Sequence, residues 1–123
     1  SDSVFSSHVI GLSTTNPDTA KILWLPYTAG GVAITGNTTV GNDTWRHIVI
    51  TYSSGSHVLY IDGVSDGTGN TTGTISNNAA IPLTIGAWIG GGGGYSTSII
   101  DEVRVYNKIL TADEAKQLYN LGR

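Results

Sequence analysis

The chain contains no cysteine and no methionine, one phenylalanine and three prolines in 123 residues. Without cysteine it has no disulfide, no thiolate nucleophile and no Cys-based zinc site. Without methionine it cannot carry its own translation start, so it reads as a mature product, an excised domain or a fragment. Charge is also sparse. Lys, Arg, Asp and Glu make up 12% of the residues, well under the usual share. Six Lys plus Arg, spread along the chain at a net charge of −3, do not form the basic face of a nucleic-acid binder. No apolar run approaches the ~20 residues of a membrane-spanning helix, so no membrane span is expected. No signal peptide is visible at the N-terminus.

Glycine is plentiful at 17 residues, and Ser, Thr and Asn fill the gaps between short runs of Val, Ile, Leu and Tyr. This is a turn-rich β composition rather than a disordered one, because the apolar runs persist. Residues 3–12 form a first apolar segment, and Asn16-Pro17-Asp18 marks a turn. Residues 20–27 (AKILWLPY) are a second strand candidate, broken by Gly30-Gly31 and resumed over 32–35. Residues 45–52 (WRHIVITY) and 57–62 (HVLYID) flank Ser53-Ser54-Gly55-Ser56, a spacing suited to a hairpin. Asp62-Gly63 is a turn dipeptide, and 64–78 reads as loops plus an edge strand. A short strand is expected at 81–85, a bare loop at 90–94, and a last long strand at 97–106 (TSIIDEVRVY). Thr111-Ala112-Asp113-Glu114 is a capping box. It predicts a short helix containing Ala115, Leu118 and Tyr119 and stopping at Gly122. Many short strands followed by one terminal helix predict an all-β antiparallel sandwich.

Two segments carry a family resemblance. WRHIVITYSSGSHVLYIDGV resembles the W-x-H-hydrophobic-T-Y … L-Y-hydrophobic-D/N-G segment of laminin-G-like, concanavalin A-like jelly rolls. IIDEVRVYNKILTADEAKQLYNLG resembles the closing segment of the same group. The resemblance implies a single laminin-G-like sandwich over 1–123, and it places Trp45 in the core. It also implies extracellular glycan binding or adhesion to a surface protein, without a reaction of its own. The family opens with further strands, of the F-D-G and F-T-hydrophobic-S-x-W types, and nothing in this chain matches either. The domain is therefore expected to be incomplete at its N-terminus. Its missing strands would come from another chain, from a second copy in a homo-oligomer, or be dispensable in a shortened sandwich. The structural alternative to a lectin is accordingly a building block of a fibre or surface assembly.

A hydrolase is disfavoured. Hydrolytic relatives place several carboxylates on one strand face. This chain has only two glutamates, Glu102 and Glu114, the latter explained by the capping box, and Asp101 and Glu102 are adjacent and so alternate in direction. No G-x-S-x-G elbow is present, so no catalytic residue is assigned.

Flat aromatic faces are the usual sugar platforms. Trp88 and Tyr95 bracket Ile89 and the 90–94 glycines and are ligand-binding candidates; Trp24 is either core or a third platform. On a strand over 97–106, Asp101 shares a face with Ile99, Val103 and Val105. A carboxylate among aliphatic residues needs a partner. That partner is backbone or a cation in the structural reading, and calcium in the functional one, with other oxygens supplied by loops.

Overall fold

The computed structural model describes residues 9–26, 33–41, 43–72, 84–88 and 94–122. Strands β1 (Val9–Leu12), β2 (Lys21–Leu25) and β3 (Ile34–Thr39) form one antiparallel sheet in that order. Strands β4 (Ile48–Ser53), β5 (Ser56–Ile61) and β6 (Val64–Asn70) form a second. A small ribbon pairs β7 (Ala87–Trp88) with β8 (Gly94–Tyr95), and the chain closes in helix α1 (Ala112–Leu121). The expected β architecture with one C-terminal helix is thus observed.

Local chemistry explains the connections. Ser54-Gly55 and Asp62-Gly63 both take positive φ at both positions, the two-residue turn whose twist matches paired strands. They set the registers Ser53↔Ser56 and Ile61↔Val64. At the β1–β2 connection Asn16 accepts the Asp18 amide through its side chain (3.0 Å) and the Thr19 amide through its carbonyl (3.2 Å). Glycine is required at 63, where an added Cβ would lie 3.0 Å from the Lys116 Cα of α1.

Cross-strand partners share a face, so the registers define the interior. Ile22 and Trp24 of β2 and Ile34 of β3 point inward from the first sheet, and His57, Leu59 and Ile61 of β5 from the second. Ala20, Ile22, Val40, Leu59 and Ile61 form one buried cluster, against which Ile48 and Ile50 pack. Burying a side chain such as Leu59 contributes about 2–3 kcal/mol.

Two strand irregularities meet where the sheets close. Leu59 pairs with Gly67 and Tyr60 with Ser65, which leaves Asp66 as the extra residue of a bulge in β6. Lys21 pairs with Thr39 and Leu23 with Thr35, so residues 36–38 leave the ladder of β3. The freed amides of Asn37 (2.8 Å) and Thr38 (3.0 Å) donate to the Asp66 carboxylate, as does the Thr38 hydroxyl, and Asn37 Nδ2 donates to the Asp66 carbonyl. An added Cβ at Gly36 would stand 2.3 Å from Asp66 Oδ2, so this clasp needs glycine there.

The opposite side differs. Ile10 and Leu12 pair with Trp24 and Ile22 and so share the inward face, yet both are exposed. The expected last strand is also corrected. Residues 97–106 pair with no strand among the described residues, and all of them are exposed. Glu102 takes a φ of 55°, which interrupts the extended run. Alternation alone does not make a strand; an edge to pair with is needed. Trp45 is likewise not in the core but 68% exposed, ahead of β4. The strand expected at 81–85 lies outside the described residues except for Thr84 and Ile85, which are not in a strand.

Candidate functional site

The β7–β8 ribbon is the surface that sequence reasoning singled out. Gly86 enters it with φ 77°, and its carbonyl accepts the Ser96 amide at 2.8 Å. Thr84 Oγ1 donates to the Ala87 carbonyl at 2.7 Å, which ties down the approach to β7. The register sets Ala87 against Tyr95 and Trp88 against Gly94. Tyr95 is 81% exposed at this ribbon. Trp88 lies in β7, but its side chain, with residues 89–93, lies outside the described residues.

Trp24 takes the core alternative. It is buried, and its indole N–H donates to His57 Nδ1 at 3.0 Å. Because an indole can only donate, Nδ1 must accept, and the network assigns the imidazole proton to Nε2. Nε2 then donates to Thr71 Oγ1 at 2.9 Å. His57 is fully buried, with the Tyr52 ring centroid 4.8 Å from its own. Both ring nitrogens are thus engaged inside the protein, and His57 presents no free ligand atom to solvent.

Asp101 is exposed rather than set among buried aliphatic side chains, because residues 97–106 form no ladder with the other described residues. Its Oδ1 accepts the Glu102 amide at 2.7 Å. No group of three or more His, Cys, Asp or Glu that could hold a metal occurs among the described residues. Calcium takes six to eight oxygens, of which Asp101 and Glu102 would supply only some.

The two glutamates are occupied separately. Glu102 pairs with Arg104 at 2.5 Å on the surface. Glu114 closes the predicted capping box, accepting the Thr111 amide at 2.8 Å while its own amide donates to Thr111 Oγ1 at 3.2 Å. It also pairs with Lys108 at 2.6 Å, and that ammonium, followed by the Thr111 amide, holds its pKa below the usual carboxylate value. A shallow open groove lined by Tyr106, Lys108, Leu110 and Leu118 runs beside α1.

A second polar cluster, not singled out in the sequence, surrounds Asp62. Its carboxylate accepts Arg46 Nη1 at 2.7 Å and the His47 amide at 2.9 Å, and its own amide donates to the His47 carbonyl at 2.8 Å. These bonds tie the approach to β4 onto the β5–β6 turn. Desolvation, opposed by Asp62 and aided by Arg104, lowers the His47 pKa. His47 Nδ1 is buried with no hydrogen-bond partner among the described residues.

Comparison with known proteins places this geometry. A laminin G family profile, described as concanavalin A-like lectin/glucanases superfamily, matches residues 3–116. No curated protein matches the chain. Among solved structures, a 2.1 Å crystal structure of an S-layer domain-containing protein (residues 221–444) from Clostridium thermocellum ATCC 27405 superposes with a TM-score of 0.56 at 20% identity. The match covers 94% of this chain and 64% of that one, so the chain spans under two thirds of the structure it resembles.

Proposed function

The chain belongs to the concanavalin A-like lectin/glucanases superfamily, and on that premise we propose that it is a non-catalytic cell-surface module that binds a glycan or a surface protein through the β7–β8 ribbon. The observation that carries this reading is Tyr95, a large aromatic side chain 81% exposed at a ribbon bordered by a run of glycines. An aromatic face in water suits stacking against a sugar ring. The non-catalytic part rests on the acids. Glu114 is engaged in a helix cap and Glu102 with Arg104, so neither is presented as one of the facing carboxylate pair that glycoside hydrolysis uses. The cell-surface part draws on the sparse charge and high Ser, Thr, Asn and Gly content, and on the S-layer protein whose fold the chain shares. Screening the purified chain against a glycan array tests the proposal. Binding to a defined glycan class is expected, with Tyr95→Ala weakening it at least about tenfold, the effect of losing a stacking contact worth about 1.4 kcal/mol. Undiminished binding by that variant, or polysaccharide cleavage by the wild type, would overturn it.

A separate observation favours a second reading, a structural building block of a surface assembly. Residues 97–106 alternate like a strand, expose aliphatic side chains and pair with nothing described, which leaves an edge for a strand from another chain.

A further inference from the structure

The second reading leaves the identity of the neighbouring strand open, and the charges on the segment select one. We propose that residues 99–107 pair antiparallel with the same residues of a second copy of this chain, across a two-fold axis at Val103. The inference rests on the building-block reading and names its partner.

The apolar side chains along this segment are not covered by the other described residues. Ile99 is 81% and Val105 85% exposed, and Ile100, Val103 and Tyr106 are also exposed. The Glu102 amide is instead satisfied locally by Asp101 Oδ1, with Glu102 held at a positive φ that non-glycine residues avoid. Pairing would return Glu102 to the extended region and exchange that local bond for one between strands.

Opposed residues of an antiparallel pair lie on the same face, so a two-fold axis must pass through a residue position rather than between two. With the axis at Val103, Glu102 of each copy opposes Arg104 of the other. Ile100 opposes Tyr106, and Val103 opposes itself. On that face Glu102 and Arg104 each meet an opposite charge and Ile100 meets Tyr106, while on the other face Asp101 opposes Val105. Other registers do worse. An axis at Glu102 sets Glu against Glu, and an axis at Arg104 sets Arg against Arg. An axis at Val105 would set Glu102 against Lys108, which Glu114 already holds. A parallel in-register pairing opposes like charges throughout. The present Glu102–Arg104 contact within one chain is solvent-exposed, and exposed pairs of this kind are weak enough to rearrange.

Sedimentation equilibrium of the full chain at low salt tests the proposal with four samples: wild type, Glu102→Arg, Arg104→Glu, and an equimolar mixture of the two variants. Both positions are exposed, and thermal melts check that each variant folds as the wild type does. The wild type is expected to dimerise, and each variant alone to weaken the dimer at least about tenfold, because like charges then face each other twice. The mixture is expected to recover it, because two arginines on one strand then face two glutamates on the other. Variants that dimerise as the wild type does would sink this interface while leaving the building-block reading standing. A wild type that stays monomeric to millimolar concentration would sink the self-pairing and leave the building-block reading to a strand from a different chain.

Discussion

Residues 57–61 (HVLYI) and residues 99–105 (IIDEVRV) carry the same kind of alternating, β-branched sequence, and the structure treats them in opposite ways. The first is β5, paired on both edges by β4 and β6 and covered by the first sheet, with His57 and Leu59 almost completely buried. The second is unpaired among the described residues and exposed along its length. The difference lies in what reaches each segment. Two-residue turns bring β4 and β6 onto β5 from adjacent sequence, whereas no hairpin delivers a neighbour to 99–105 among the described residues. A period-two pattern supplies a face, and burial requires a second surface to meet it.

The largest effect that can test this contrast is a cavity. Leu59→Ala should cost about 3 kcal/mol in urea unfolding, because the site is enclosed by both sheets. The matched change Val105→Ala should stay within about 0.5 kcal/mol. Equal losses at the two positions would show that 97–106 is packed after all. Next in size is the clasp that closes the sandwich. Asp66→Asn places an NH₂ group among three donors from Asn37 and Thr38 and should cost about 2 kcal/mol. A neutral result would mean that the two sheets are held by the apolar cluster alone.

The smallest effect concerns His47, which sits between the two regions, held to Asp62 on one side and under the influence of Arg104 on the other. Its folded pKa lies below the ordinary value of about 6.5. Below that ordinary value the unfolded chain takes up a proton that the folded chain resists. The contribution is therefore fully present above about pH 6.5 and is lost as pH falls toward the folded pKa. The melting temperature should drop between pH 7.5 and 5.5, and His47→Gln should make that drop smaller. An identical pH profile for the variant would remove His47 from the account.

Much of the fold was legible in the sequence where neighbouring residues set the outcome. Ser54-Gly55 announced a hairpin, Asp62-Gly63 and Asn16-Pro17-Asp18 announced turns, and Thr111 with Glu114 the helix start. The candidate site was less legible. Tyr95 is exposed as a platform must be, but Trp24 is locked onto His57, 33 residues away, and no local signal distinguishes a buried indole from a displayed one. Asp66 sat unnoticed in a polar stretch, because its role depends on two bulges, in strands of different sheets, meeting at one place.

By itself the sequence determined the elements that depend on backbone conformation and on contacts a few residues apart: the turns that accept positive φ, the capping box, and the alternation of the strands. Only the tertiary structure decided which alternating segment is buried, that Trp45 is exposed and Trp24 enclosed, and that Asp66 joins the sheets. Those outcomes depend on surfaces brought together from distant parts of the chain, and burial is a property of such pairs of surfaces rather than of either one alone.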